Sequence, residues 1–418
     1  MKVKRKKWYK LDNAAKIFPP TTDKYDTKTF RFSVFLKEDI AKETLQEALD
    51  ITIKDFPIFR SKLKKGFFWY YLEETEELPT VKLEHTIPCD EREEELLFKV
   101  MYFKKRISVE VSHELTDATG TLLFLKSLTA NYLNIKYTLK KNIPLDTSSV
   151  SDKSMDSYNT YYQKSTIKRK KVKEAAYHFK GETFPEGRLK IIEGKASTKG
   201  VLSLAKNHET TLTVYLTALL IESIGKTMTL KERQKPIYIT VPVNLRNYFP
   251  SSTVRNFFGT ITVCYKYQDQ SIESIIKDIK EQFQVALTKE KLAENMNNLA
   301  ALEKIFLVRI VPRVIKDLVL KIGYQMSTKS HTMSLSNIGK IEVPEEYRKY
   351  IDYFEVFSST DGMQVCLCSY EDSLLISFSS HFVTSQIERN FFCSLTGQKL
   401  KVVISTNSVE EEDNNEVL

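Results

Sequence analysis

From Thr29 to Leu36 apolar and polar residues alternate with the two-residue period of a strand. The period then changes: Asp39 to Asp55 places Ile40, Leu45, Ala48, Leu49 and Ile51 at helical spacing, with Asp39 in position to cap. Phe67 to Leu72 and Val81 to His85 read as strands joined by an acidic turn. Phe98 to Tyr102 and Ile107 to Ser112 form a hairpin turning at Lys104 to Arg106. Ala118 to Leu133 is helical by period, with Leu122, Leu125, Leu128 and Leu133 on its apolar side. The first part of the chain is thus a mixed unit of antiparallel strands with flanking helices.

The second half repeats the layout without a repeat of sequence. A strand at Leu189 to Glu193 leads into helices near Thr198 to Asn207 and Thr213 to Ile224. Strands follow at Ile237 to Pro242 and Thr260 to Tyr267, then helices over Ile272 to Leu287 and Ile305 to Ile322. Strands return at Thr332 to Ser336, Tyr353 to Ser358, Met363 to Tyr370 and Ser373 to Ser380. A last helix, Gln386 to Leu395, precedes an acidic tail expected to fray. Between the halves, Leu145 to Asp156 is rich in Ser, Asp and Thr, and Lys164 to Lys173 is strongly basic. The boundary is placed there: a first unit at 1–160, a basic linker at 161–174 and a second unit at 175–418.

Composition narrows the function classes. A chain of 418 residues with 42% hydrophobic and 28% charged content has material for two cores. The net charge of +9 gathers partly at Lys2 to Lys7 and in the linker, with no module that would interleave it with stacking aromatics, so no nucleic-acid partner is expected. The five cysteines form no CxxC pair and lack further ligands at suitable spacing, so neither zinc nor disulfides are expected. Cys366 and Cys368 should face one side of a buried strand. The basic start lacks the apolar run of a signal peptide, and no apolar stretch is long and clean enough to span a bilayer. A cytoplasmic location is expected. Lys304 to Lys321 mixes cationic and apolar residues at helical spacing. It fits a membrane-surface helix, but packing on the second sheet is the expected reading.

Chemistry is concentrated in Ile107-Ser-Val-Glu-Val-Ser-His113-Glu-Leu-Thr-Asp117-Ala-Thr-Gly120. A strand ends, a His follows, and a helix begins within about five residues. One imidazole therefore sits at the mouth of a sheet on a short turn. An ordinary His pKa of about 6.5 suits it to accept a proton at neutral pH. Asp117 can brace the turn if a cation meets it, and Gly120 permits close backbone approach at the helix start. None of the other five His residues has Asp at this spacing.

With these residues the sequence resembles the HxxxD acyltransferase superfamily, which includes chloramphenicol acetyltransferase-like enzymes and peptide-synthetase condensation domains. It is most similar to the bacterial alcohol acetyltransferases, over nearly the whole chain. Trp8-Tyr-Lys-Leu-Asp-Asn-Ala-Ala-Lys-Ile-Phe-Pro19 looks like that branch's opening segment, and Phe56-Pro-Ile-Phe-Arg60 is similar to the HPALR segment of condensation domains. Val241-Pro-Val-Asn-Leu-Arg246 and Arg255-Asn-Phe-Phe-Gly259 fall where the family enters its central second-unit strands. Ser334-Leu-Ser-Asn337-Ile-Gly339 looks like its SNxG turn. The one departure is Ser112, where many condensation domains carry a second His.

The resemblance implies an α/β fold of two chloramphenicol acetyltransferase-like domains in a V, with an active-site tunnel between them. His113 would be the general base. Asp117 would be structural and paired with an Arg, with Arg246 the candidate and Arg255 in reserve. Ser336 or Asn337 would supply a hydrogen bond to the developing oxyanion, although Asn337-Ile-Gly339 also has turn chemistry of its own. The cosubstrate would be acetyl-CoA or another acyl-CoA, with no bound cofactor, and the acceptor a small alcohol or amine. A donor carried on an acyl carrier protein is the enzymatic alternative, and a non-catalytic binding homologue the other. A monomer is expected.

Overall fold

The computed structural model describes residues 6–84, 87–90, 96–139, 148–164, 174–185, 188–305 and 309–407. The basic run of the linker and the acidic tail lie outside them.

The strands in chain order are β1 (Trp8–Lys10), β2 (Thr29–Leu36), β3 (Ser61–Lys65), β4 (Tyr70–Glu74), β5 (Val81–Leu83), β6 (Phe98–Phe103), β7 (Arg106–Ser112), β8 (Lys190–Ser197), β9 (Ile237–Asn244), β10 (Phe258–Tyr265), β11 (Met333–Lys340), β12 (Ile351–Ser358), β13 (Met363–Tyr370), β14 (Ser373–Ser380) and β15 (Val402–Thr406). They form a five-stranded sheet in the order β12-β2-β7-β6-β5 and a seven-stranded sheet in the order β10-β9-β11-β13-β14-β8-β15. A small sheet, β1-β4-β3, stands apart.

Each large sheet has its own core, as the two-period pattern requires. Phe30, Phe32 and Val34 of β2 point into the first, under the helices Lys42–Thr52 and Ala118–Lys136. There Phe59 stacks on Phe124 at 4.6 Å and Phe56 meets Phe124 edge-on, so the Phe56-to-Arg60 segment is core packing. The second core gathers Leu219 and Leu220 of the helix Leu212–Gly225 with Ile239, Val263, Leu335, Val365 and Ile376 of the seven-stranded sheet. Its charge-free stretch from Val214 to Ile221 is buried all round, as an all-apolar helix must be.

Several elements differ from the pattern-based expectation. Ile351–Ser358 leaves the second half altogether: β12 pairs antiparallel with β2, from Ile351 opposite Leu36 to Ser358 opposite Phe30. Alternation predicts a strand but carries no address, and its neighbour is a tertiary outcome. The helix Lys42–Thr52 starts after Ala41, which has no side-chain cap, so Asp39 does not cap it. A charged helix, Lys289–Lys304, lies where none is expected. The helix expected over Ile305 to Ile322 instead runs Arg313–Thr328, just after Pro312, as proline's fixed φ and missing N–H favour at a helix start.

That last helix is also inverted. Its inner side holds Arg313, Lys316, Asp317 and Tyr324. Val314, Ile315, Leu318, Val319, Ile322 and Met326 are 48–69% exposed. It does not lay its apolar side on the second sheet. Its inward contacts go to the β3–β4 turn and to the short helix Phe18–Thr21. Among the described residues, no helix is long and apolar enough to cross a membrane.

Candidate active site

The turn after β7 is held from three sides. The Ser112 N–H donates to Leu97 O at 2.9 Å, the His113 N–H to Lys28 O at 2.9 Å, and the Leu115 N–H to Ser112 O at 3.0 Å. Asp117 then caps the helix Ala118–Lys136, its Oδ1 accepting from the Gly120 N–H at 3.1 Å. A strand, a tight turn and a capped helix thus fix the His113 backbone without a mobile loop.

Asp117 faces the second half. Its Oδ2 accepts from Arg246 Nη1 and from the Phe257 N–H, each at 2.8 Å. The same guanidinium donates to the carbonyl oxygens of Thr253 (2.9 Å) and Arg255 (2.6 Å). Arg246 therefore closes the 246–257 loop on itself and ties it to the HxxxD turn. Gly120 completes the joint. A Cβ there would stand 2.1 Å from Val254 O and 2.2 Å from Thr116 Oγ1, so only glycine lets these backbones meet. Arg255, the reserve partner, sits elsewhere, 3.6 Å from Asp12.

His113 has a different setting. Phe30 lies 4.4 Å from its ring, Phe18 stacks at 5.0 Å and Phe258 lies at 6.2 Å. The residue is partly exposed, yet its Nδ1 is enclosed and has no hydrogen-bond partner. Burial pushes the imidazole pKa down to about 4. Asp117, Asp26 and the Asn256 side chain pull the other way without prevailing, and Lys28 adds to the depression. The ring is therefore neutral at pH 7.

Residue spacing carries no sign of the brace behind this ring. Asn256 Nδ2 donates to His113 O at 2.9 Å and to Asp12 Oδ2 at 3.1 Å, while Asn256 Oδ1 is buried without a partner. Asp12, wholly enclosed, has its carboxyl pKa raised to about 6 by burial, against the opposing pull of Arg255. Both residues lie in the segments quoted for the resemblance, the Trp8-to-Pro19 opening and Arg255-to-Gly259. Only the fold brings them together.

Ser336 and Asn337 stand apart from this cluster. Asn337 Nδ2 donates to Thr213 Oγ1, and its Oδ1 accepts from the Gly339 N–H, both at 2.8 Å, with Gly339 at φ +84°. That is the turn chemistry its sequence suggests. Leu335 is in the second core, so alternation puts Ser336 on the opposite face of β11. β11 and β9 pair only at Met333–Ile239 and Ser334–Thr240, after which the two parallel strands diverge beside Ser336.

A cleft of about 450 Å³ opens between the two large sheets, lined among others by Arg31, Glu84, Arg106, Glu193 and Glu355. His113 is not part of its lining. On β2, Arg31 points into the cleft while Phe30 packs on His113, so the cleft and the ring lie on opposite faces of the strand.

Two large sheets, each with its own core, and a turn carrying His, Asp and Gly at this spacing define an acyltransferase of the HxxxD type, with the chloramphenicol acetyltransferase-like fold. The chain belongs to the alcohol acetyltransferase family, whose model matches residues 147–400 and so begins beyond the His113 turn. No curated protein matches its sequence. Among solved structures it is similar to TRI101 of F. sporotrichioides complexed with coenzyme A and T-2, at 11% identity over 96% of this chain and 100% of that one (TM-score 0.65). It is also similar to the first condensation domain of the calcium-dependent antibiotic synthetase in complex with a substrate analogue, at 11% identity over 94% and 96% (TM-score 0.63). TRI3 trichothecene 15-O-acetyltransferase from Fusarium sporotrichioides matches at 9% identity over 94% and 95% (TM-score 0.62). At such identities the likeness is one of fold.

Proposed function

We propose that the enzyme transfers an acyl group, acetyl in the first instance, from coenzyme A to the hydroxyl of an alcohol or to an amine, with His113 as general base. The observation that carries this reading is the neutral, aromatic-walled imidazole on a rigid turn. Its Nε2 takes the proton from the acceptor as the acceptor oxygen bonds to the thioester carbonyl carbon. The resulting intermediate expels the thiolate as the C–S bond breaks, and the imidazolium returns the proton to sulfur. The ring ends as it began. Direct transfer of this kind needs both substrates positioned at once, which is where most of the advantage over solution lies.

Asn256 is the positioning residue in this scheme. Two buried orphans, His113 Nδ1 and Asn256 Oδ1, belong to side chains that already interact. A proton on Nδ1 would satisfy both and leave the Nε2 lone pair for the acceptor. Asp117 acts through packing and charge only, since its carboxylate is engaged by Arg246, Phe257 and Gly120. Of the two, Ser336, beside the gap between β9 and β11, is the better candidate for the oxyanion donor, because the Asn337 amide already serves Thr213.

Coenzyme A as donor is supported by the coenzyme A bound in TRI101, and a carrier-borne thioester by the condensation domain. Thiol release from acetyl-CoA across a panel of alcohols and amines tests the first. Acceptor-dependent release that His113→Ala abolishes is expected. A blank with acetyl-CoA but turnover with a loaded carrier protein would replace coenzyme A by the carrier.

A further inference from the structure

The helix Arg313–Thr328 is amphipathic in the wrong sense for a core helix. At 100° per residue, Val314, Leu318, Ile322, Ile315, Met326 and Val319 occupy one continuous arc, broken only by Gln325. All six side chains point to solvent. On the opposite side Arg313, Lys316, Asp317 and Tyr324 are turned inward and engaged. Arg313 pairs with Asp317 at 2.8 Å and donates to Gly66 O, and Lys316 donates to Phe68 O at 2.9 Å. Tyr324 OH accepts from Lys28 Nζ at 2.9 Å. The inversion is therefore built by specific contacts and is not a loosely placed segment.

The face continues beyond the helix. The Arg313 N–H donates to Phe67 O, so the exposed Phe67 and Phe68 at the tip of the β3–β4 hairpin stand beside the helix start. The surroundings are cationic. From Lys304 to Ser330 there are six Lys or Arg residues and one carboxylate, Asp317, which is turned inward on Arg313. Arg309, Lys321 and Lys329 are exposed, as is Lys65 beside the aromatic tip.

We propose that this face docks the enzyme on an anionic lipid bilayer, the helix lying in the interfacial plane with Phe67 and Phe68 at one end. An outward apolar arc flanked by Lys and Arg is the chemistry of an interfacial helix, whose binding combines buried apolar area with attraction to anionic headgroups. A second copy of the chain is a poorer occupant, because face-to-face pairing would set two cationic stretches against each other. The helix that carries this face is joined to the site through its inner side: Lys28, which holds Tyr324 on the helix, accepts the His113 N–H through its carbonyl. Delivery of a membrane-dissolved apolar alcohol to His113 is a consequence that rests on the acyl-transfer reading. Docking does not.

The test is co-sedimentation of the full chain with vesicles of phosphatidylcholine alone and of phosphatidylcholine mixed with phosphatidylglycerol, alongside the double variant Leu318→Gln/Ile322→Gln. The expected result is salt-sensitive binding to the anionic vesicles that falls about tenfold or more in the variant, from the loss of two inserted side chains. Both positions are exposed, so the variant should keep its melting temperature and its turnover of a soluble alcohol. Wild type left in the supernatant with anionic vesicles overturns the proposal. So does equal binding by wild type and variant, which would reduce the effect to net charge. A wild-type dimer that the variant converts to monomer would assign the face to a second copy instead.

Discussion

Two histidines of this chain are enclosed in quite different ways. His381 is almost fully buried, with Nδ1 2.9 Å from Arg188 O and Nε2 2.8 Å from Tyr25 O. Both ring nitrogens face backbone carbonyls, so the ring is enclosed by the fold and neither nitrogen faces a substrate. His113 is walled by Phe18 and Phe30, its Nδ1 has no partner, and its basicity is lowered by burial. The first ring joins segments together. The second is held by its backbone, through Lys28, Asn256 and the turn, while its ring is left free of strong bonds. With the Nδ1 proton donated to Asn256 Oδ1, as proposed above, the Nε2 lone pair is left free, which is what a general base needs. Burial alone does not separate a structural histidine from a reactive one. The partners of its nitrogens do.

The largest effects should fall on the His113 side. His113→Ala is expected to lower kcat/KM by about 10²–10⁴-fold, the usual range for a lost general base, with the melting temperature retained. Steady-state kinetics beside a thermal melt would check both halves, and an active variant would remove His113 from the chemistry. Asp117→Asn and Arg246→Ala should lose activity by another route. Each breaks a buried ion pair, at about 3–5 kcal/mol of folding stability, and Arg246→Ala also strips donors from the Thr253 and Arg255 carbonyls. Denaturant unfolding should show these two losing stability and His113→Ala not.

On the His381 side the effect should be smaller and confined to stability. His381→Ala removes the ring that bridges the Arg188 and Tyr25 carbonyls and leaves a part-buried carbonyl without its donor, at about 1–3 kcal/mol. In the folded fraction kcat should fall far less than in His113→Ala, since His381 meets the HxxxD turn only through the Tyr25-to-Lys28 segment, whose Lys28 carbonyl accepts the His113 N–H. A loss of kcat as large as that of His113→Ala, with stability unchanged, would dissolve the distinction between the rings.

The sequence carried the local half of this picture and little of the rest. A strand, a His, an Asp cap and a Gly lie within fourteen residues, Ile107 to Gly120, so their geometry is set by neighbours along the chain. Arg246 followed from a resemblance that places one strand end near one interface. Asn256 and Asp12 had no such signal, because the amide that holds the His113 carbonyl lies 143 residues away. β12 was legible as a strand but not as part of the first sheet. For Arg313–Thr328 the period predicts two faces, and the rule that apolar means inward then chooses the wrong one. Periodicity measures amphipathicity; what lies opposite each face decides its direction.

The finest test concerns pH, where His113 and Asp12 should act with opposite sign. The ordinary His pKa is 6.5 and that of folded His113 about 4, so in this window the unfolded chain takes up a proton that the folded one refuses. Stability from this group falls as pH falls through the window. Asp12 is reversed: its folded pKa is about 6 against an ordinary 3.8, so the folded chain keeps a proton the unfolded one releases, and stability falls as pH rises toward 6. The two slopes offset between about pH 4 and 6, and melting temperature alone should show little there. Activity separates them. The base must be neutral, so kcat/KM of the free enzyme should keep rising until well above pH 4 but show no tenfold limb centred on 6.5. A shallow step near pH 6 is expected where Asp12 ionises and strengthens its hold on Asn256, and with it the His113 carbonyl. Asp12→Asn should remove that step and leave the acid limb. Asn256→Ala should cost about tenfold in kcat with KM little changed, by freeing the ring's tautomer. A limb at 6.5 in the wild type would instead mean that the aromatic walls do not depress the ring, and His113 would differ from an ordinary solvated histidine only in its address.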